Sequence, residues 1–241
     1  MTAIYKRELR SFFVTPMGYV FIAMFLAVSS FAFCTCTLLA GTDSSVSSYF
    51  TLELIIMALM TPLLTMRSFA EERKQKTEQL LLTAPVTLPG FVIAKFLACY
   101  TVFAITFLVT CINFPVMFAY LSDMNLFQYN SVTALGGCIA LLLIGAVFIS
   151  VGMMISALTE NQLIAAVGTL TVLAALLAAA VANQYIGFAP LRAFLSWLSI
   201  YARFSNFSKG YFDIAALIYY ASFAAVCIFI TVRIYEKRRW S

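Results

Sequence analysis

Formal charges cluster in one stretch of an otherwise apolar chain, residues 67–90, RSFAEERKQKTEQLLLTAPVTLPG. The 15 Lys and Arg and the 10 Asp and Glu together give 25 charges. Seven of them lie here: Arg67, Glu71, Glu72, Arg73, Lys74, Lys76 and Glu78. Lipid does not tolerate such a run, so the stretch lies in water or at a membrane surface. Two kinds of chemistry are open to it, namely acid–base catalysis by the paired carboxylates and contact with a soluble partner.

An intramembrane hydrolase is the enzyme alternative. Glu71 and Glu72 followed by Lys76 weakly resemble the E-E-x-x-x-R signature of membrane-embedded abortive-infection-type proteases. That chemistry needs histidines to complete its site, and a serine protease needs a histidine base. The sequence contains no histidine, which argues against both enzymes and against His-based metal sites. It also contains no G-x-x-x-x-G-K-[ST] motif to hold phosphates, so any ATP hydrolysis is expected in another chain.

The cysteines do not predict a metal or redox site. All six lie in apolar runs, and none belongs to a C-x-x-C pair: Cys34, Cys36, Cys99, Cys111, Cys138 and Cys227. We interpret them as small packing residues in a membrane. The sequence therefore predicts no catalytic residue, no metal ligand and no bound cofactor in this chain.

Four other charged residues are candidate contacts for substrate or lipid. Glu53 lies in or just outside an apolar run, and acids within a membrane are functional candidates by default. An interfacial position for Glu53 is the alternative. Arg192, Arg203 and Lys209 stand against the single acid Asp213 and could bind lipid headgroups or an anionic substrate. They could equally be anchors whose long side chains reach the interface.

The elements that carry these residues follow from composition. The chain is 63% hydrophobic and 10% charged, with mean hydropathy +0.97, whereas soluble domains are about 25% charged. Six apolar runs are long enough to span a bilayer: about 17–40, 50–66, 91–121, 132–157, 163–183 and 214–234. Backbone groups in lipid must be satisfied internally, so the runs are predicted to be helices. We expect an all-α membrane protein with one transmembrane domain over 1–241.

Shorter helices are predicted outside the spans. Residues 5–16, YKRELRSFFVTP, alternate basic and apolar faces and predict an interfacial helix, not a cleaved signal. Residues 190–207, rich in leucine and aromatics, predict one or two short helices at the outer interface. Small residues recur every seven positions in the fourth span, at Cys138, Gly145 and Gly152, with Ser156 one turn beyond, and predict close helix packing.

Orientation follows from the basic residues. With the N-terminus in the cytoplasm, twelve Lys and Arg lie inside and three outside, a strong positive-inside bias. Both termini and the 67–90 stretch are then cytoplasmic. Within that stretch, residues 69–82 have helical periodicity with opposite pairs such as Glu72–Lys76 and Glu71–Lys74, and Pro85 and Pro89 end it. A short helix parallel to the membrane is expected, and a solvated connector is the alternative.

The string RSFAEERKQKTEQLLLTAPVTLPGFVIAK resembles the cytoplasmic loop of the ABC-2 family of ATP-binding-cassette permeases. In that family an arginine and paired acids end the second span. A G-T-x-E-L-L helix, a P-V pair and a lysine entering the third span follow. The matching residues are Arg67, Glu71, Glu72, Thr77, Leu80, Leu81, Pro85, Val86 and Lys95. Lys76 stands where the family usually has glycine, and Gln79 where it usually has the acid, which Glu78 supplies one residue earlier.

The resemblance extends over the chain, from KRELRSFFVTPMGYV to NFSKGYFDIAALIYY and the basic exit YEKRRW, and is closest to gliding-motility-associated permeases. It implies a six-span permease half that pairs with a second half, identical or not, in the bacterial inner membrane. The loop helix would be a coupling helix that docks on a cytoplasmic ATPase carrying ATP and Mg. The residues it assigns to that contact are Glu71, Glu72, Arg73, Thr77, Glu78, Leu80, Leu81 and Pro85.

The resemblance also implies further partners and alternatives. Gliding-type members resemble partners of a membrane subunit with a large extracytoplasmic domain, and membrane lipids would contact the spans. No nucleic-acid partner is expected. Export is the commoner direction in the family. A scaffold that transmits force within an ATPase-driven complex, without passing a solute, is the alternative function.

Overall fold

The computed structural model describes residues 2–38, 44–74, 87–115, 127–183, 199–207 and 213–240, and the structural statements below concern those residues. They are helical, with no strand among the described ranges. The helices are α1 (Thr2–Val14), α2 (Pro16–Phe33), α3 (Ser44–Thr65), α4 (Ala70–Lys74), α5 (Leu88–Thr110), α6 (Phe127–Leu158), α7 (Gln162–Ala182), α8 (Ile200–Phe207) and α9 (Ile214–Trp240). A π-helical segment, Cys34–Leu38, continues α2.

Six of the described helical stretches are long and apolar enough to cross a membrane. They are Pro16–Cys36, Ser47–Lys74, Leu88–Pro115, Ala134–Leu158, Gln162–Ala179 and Ile214–Arg239. The predicted all-α architecture with six spans is thereby confirmed. Several of these helices extend beyond the apolar runs that predicted them, because backbone hydrogen bonding does not stop where hydropathy falls. Thus α3 begins at Ser44 and α9 continues to Trp240. Residues 116–121 of the predicted third span lie outside the described residues.

Helix α6 lies at the centre of the bundle, where it packs against α3, α5, α7 and α9. Its residues Leu141, Ile144 and Phe148 are fully buried. The close approach needs glycine at three places on α6, namely 137, 145 and 152. A Cβ at Gly145 would overlap the Phe103 ring, and one at Gly152 would overlap Thr65. The small-residue spacing in the fourth span therefore does serve helix packing, against α5 and α3.

Helix α1 precedes the first span and packs on α5 and α2. It has no buried residue, and its Tyr5 hydroxyl donates to Thr101 on α5 at 3.2 Å. The chain turns after Val14, and Pro16 occupies the first turn of α2, where its missing N–H is not needed. The predicted N-terminal helix is present, and its position at a membrane interface stays a prediction. Of the predicted outer helices, α8 is described, whereas 190–198 lie outside the described residues.

Candidate functional site at the base of the charged segment

The stretch of residues 67–90, called the charged segment below, begins in a tight turn between α3 and α4. The side chain of Ser156, which is fully buried on α6, forms hydrogen bonds with the backbone of this turn. Its hydroxyl accepts the backbone N–H groups of Phe69 and Ala70, both at 3.2 Å, and donates to the Met66 carbonyl at 3.2 Å. The first N–H groups of a helix have no partner within it, and here a side chain from another helix supplies one. The start of α4 is therefore fastened to the central helix.

Lys95, on α5, is the next fastening point and is only 2% exposed. Its ammonium donates to the Ser68 carbonyl at 2.6 Å. It also lies 2.9 Å from Oε1 of Glu72 and 3.4 Å from Oε1 of Glu8. An ammonium has three N–H donors, and three acceptors surround this one. A charge so deeply buried is tolerable because it is paired and hydrogen-bonded.

Arg7 extends this ion cluster to α1. Its guanidinium lies 2.8 Å from Glu8 and 3.2 Å from Glu72. The hydrogen bond to Glu8 is the main cause that raises the pKa of Arg7 above its ordinary value. Two acids and two bases, Arg7, Glu8, Glu72 and Lys95, thus form a charge-balanced cluster that joins α1, α4 and α5. We call these four residues the ion cluster.

Aromatic rings enclose the ion cluster and connect it to the last span. The Lys95 ammonium lies 5.2 Å from the ring centroid of Phe69 and 5.3 Å from that of Phe91, within cation–π range. Phe69 in turn packs on Tyr235 of α9, with centroids 5.1 Å apart. All three rings are buried. The turn that starts the charged segment therefore contacts the last span as well.

Two further charges of α4, Glu71 and Arg73, are paired within the chain. Arg67 binds Glu71 through two hydrogen bonds, Nε to Oε2 at 2.7 Å and a terminal nitrogen to Oε1 at 2.8 Å. Arg73 lies 2.7 Å from Glu160 and donates to the Leu158 carbonyl at 3.1 Å, at the turn between α6 and α7. Glu71, Glu72 and Arg73 are thus engaged in intramolecular pairs. Lys76, the predicted partner of Glu72, lies outside the described residues.

Several predicted contact residues lie outside the described residues. They are Thr77, Glu78, Leu80, Leu81 and Pro85 of the charged segment, and Arg192 and Lys209 on the predicted outer side. Arg203 is described, and its guanidinium stacks 3.9 Å from the ring centroid of Tyr219. Among the described residues, no group of three or more His, Cys, Asp or Glu side chains could hold a metal ion.

Glu53 lies away from the ion cluster, inside the bundle. It is fully buried on α3, and both carboxyl oxygens lie within hydrogen-bond distance of the Ser29 hydroxyl, at 3.0 and 2.9 Å. The Tyr49 hydroxyl lies 3.2 Å from the Ser29 hydroxyl and extends this row of hydrogen-bonded groups. No salt bridge to Glu53 occurs in the described part of the chain. One serine hydrogen cannot satisfy both oxygens of a carboxylate, so the arrangement suits a neutral carboxyl group.

Six apolar helices, one of them central, define a multi-pass helical membrane protein, and residues 66–74 are fastened to three of these helices and to α1. The family model described as ABC-2 family transporter protein matches residues 35–234, most of the chain. The chain therefore belongs to the ABC-2 transporter family, whose membrane domains are permease components of ABC transporters. The resemblance to the ABC-2 family noted in the sequence is confirmed, and the closer resemblance to gliding-motility-associated permeases stays a prediction. The comparison with curated proteins found no match.

Several residues of the site were not found by sequence reasoning, among them Arg7, Glu8, Ser156 and Tyr235. Glu8 was one charge among several in an amphipathic segment, and Ser156 was read only as a small residue in a packing face. Tyr235 was one of 12 tyrosines in an aromatic-rich chain. Each acts on a partner distant in sequence, and periodicity carries no signal for such pairs.

Proposed function

We propose that this chain is the permease half through which a separate cytoplasmic ATPase, carrying ATP and Mg, moves the membrane spans. The observation that supports the proposal is the attachment of the turn and α4, residues 66–74, to four helices. The ion cluster holds them to α1 and α5, Ser156 holds them to α6, and Phe69 holds them to α9.

Such an attachment suits the transmission of force. Removing one partner of a buried ion pair typically costs about 3–5 kcal/mol, several times the thermal energy. Lys95 is almost fully buried, and the side chains of Glu72 and Glu8 are 18% and 16% exposed, so solvent screens these pairs only partly. A displacement applied beyond Lys74 would therefore carry α1, α5, α6 and α9 with it instead of bending the turn.

Two roles follow for the residues that the family pattern assigns to the ATPase contact. The base of the charged segment is fixed by Glu71, Glu72 and Arg73, whose described partners lie within the chain. The surface of this chain that docks on the ATPase consists of Thr77, Glu78, Leu80, Leu81 and Pro85. The docking surface is proposed from the sequence pattern and the base from the contacts.

The remaining parts of the proposal follow from the family and the charge distribution. The chain lies in the bacterial inner membrane with both termini cytoplasmic, and it pairs with a second permease half. Helix α7, whose span is only 17% buried, exposes Leu163, Ile164 and Val167 and offers an apolar face to lipid or to that half. We assign the complex to the gliding-associated type, with an additional extracytoplasmic subunit and transport directed outward.

Purification from the native membrane under mild conditions tests the proposal. We expect a subunit with a nucleotide-binding motif to copurify in fixed ratio, and recovery of the chain without any ATPase would refute it. Leu80→Asp with Leu81→Asp should release the ATPase while the permease keeps its yield. Arg239→Gln, an exposed change on the same predicted side, should retain it. Loss of the ATPase from both variants would remove the assignment of the docking surface.

A further inference from the structure

Two cysteines from different helices meet at the end of the bundle remote from the charged segment. Cys111 directly follows α5 and Cys138 lies on α6, and their sulfur atoms are 3.5 Å apart. Both helices have their other ends near the charged segment, since α5 begins at Leu88 and α6 ends at Leu158, whose carbonyl binds Arg73. The thiol pair therefore belongs to the opposite side of the membrane from that segment.

Packing around Phe50 holds the two thiols next to each other. Glycine at 137 lets α6 approach α3 closely, because a Cβ there would overlap the Phe50 ring. Phe50 stacks on Phe114, with centroids 5.5 Å apart, and the Phe114 N–H binds the Cys111 carbonyl at 3.1 Å. The turn that carries Cys111 and the helix that carries Cys138 are thus positioned by the same ring.

We propose that Cys111 and Cys138 form a reversible disulfide that joins the C-terminal end of α5 to the N-terminal half of α6. A disulfide requires sulfur atoms about 2.05 Å apart, so each side chain has to move by less than 1 Å from the observed contact, on the order of a small χ1 rotation. Both residues are half-buried, and each lies four residues inside the end of its candidate span, at Pro115 and Ala134, which is about 6 Å of helix from the surface of the membrane. If the charged segment is cytoplasmic, the pair faces the oxidising side of the membrane, where disulfides persist.

The oxidant is an external disulfide, and the reaction is thiol–disulfide exchange. One cysteine thiolate attacks a sulfur of that disulfide and releases one thiol, which leaves a mixed disulfide on the protein. The second thiolate attacks the protein sulfur of the mixed disulfide and releases the other thiol. The protein loses two protons and two electrons, and the external disulfide is reduced to two thiols. The cross-link closes residues 112–137 into a loop, which restricts the unfolded chain and raises Tm by several degrees.

Thiol counting on the full chain in detergent tests the proposal without reference to transport. After equilibration of the folded protein with glutathione disulfide, or with diamide, alkylation under denaturing conditions should label four of the six cysteines, against six after dithiothreitol. Peptide mapping should recover a Cys111–Cys138 linked peptide. Cys111→Ser and Cys138→Ser, and the alanine variants, should each leave every remaining thiol alkylated. Cys99→Ser and Cys227→Ser, which replace buried thiols elsewhere, should retain the cross-link.

Three outcomes would overturn the proposal. They are full alkylation after both oxidants, a stable glutathione adduct with no linked peptide, and a cross-link between two copies of the chain on a non-reducing gel. None of them bears on the proposed ATPase partner, which is tested by copurification.

Discussion

The ammonium of Lys95 lies 2.9 Å from Oε1 of Glu72, across the contact between α5 and α4. This pair joins the beginning of α5 to α4, the short helix that follows α3. Almost no solvent reaches the ammonium. Arg7 and Glu8 complete the ion cluster from α1. Three elements separated in sequence thus depend on one buried charge, and the pair can be tested directly.

Lys95→Met should destabilise the protein by about 3–5 kcal/mol, because it leaves Glu72 and Glu8 with Arg7 as their one remaining cation in the ion cluster. Thermal unfolding in detergent measures the effect. Combining Lys95→Met with Glu72→Gln should restore part of the loss, since the uncompensated acid is removed. Arg233→Gln is the matched control, because the Arg233–Glu236 pair is 63% and 36% exposed and should contribute at most about 1 kcal/mol. Equal losses in Lys95→Met and Arg233→Gln would contradict the buried role of Lys95.

Ser156→Ala should loosen the turn at the base of the charged segment. The substitution leaves the N–H groups of Phe69 and Ala70 without the acceptor they share, a cost of about 1–3 kcal/mol. Amide hydrogen exchange should accelerate at those two positions. Ser150→Ala is the control, since Ser150 is equally buried on α6 but donates to the carbonyl of Val147 in its own helix. Unchanged exchange at Phe69 and Ala70 in Ser156→Ala would refute the capping role.

The contrast between the spans and the site shows what the sequence could predict. Span number and helix type follow from the length of apolar runs, because lipid offers the backbone no other way to form hydrogen bonds. Charge pairs within one helix follow from spacing, and Glu71 was assigned Lys74 on that basis. In the structure Glu71 binds Arg67, which lies one turn earlier, before residue 69, where the helix was predicted to begin. Glu72 binds Lys95 and Arg7, whose proximity depends on how α1 and α5 pack. Helix packing of this kind has no periodicity that a single sequence displays.

Glu53→Gln should be tolerated, whereas Glu53→Lys should not. An amide has the shape of a neutral carboxyl group and can keep the hydrogen bond with Ser29, so Tm should change by no more than about 2 °C. Lysine would place an ammonium in a fully buried position with only hydroxyl partners, and the yield of folded protein should collapse. Yield by size-exclusion chromatography and Tm measure both. A large loss of Tm in Glu53→Gln would show that the carboxyl group is ionised and that its charge is needed.

Gly152→Ala tests the close approach between α6 and the end of α3, where the turn at the base of the charged segment begins. The added Cβ would overlap Thr65 at the last residue of α3, immediately before that turn, so the helices must separate or Thr65 must move. Overpacking of this kind costs about 1–3 kcal/mol. Gly136→Ala on the same helix is the control, because its Cβ would meet the Phe207 carbonyl oxygen at 3.4 Å, an ordinary contact. Adding Thr65→Ala to Gly152→Ala should recover part of the lost Tm, because it removes Oγ1 and Cγ2 of Thr65, whereas the Cβ of residue 65 still lies 2.9 Å from the added methyl group. If the double variant is no more stable than Gly152→Ala alone, the overlap with Thr65 is not the cause of the loss.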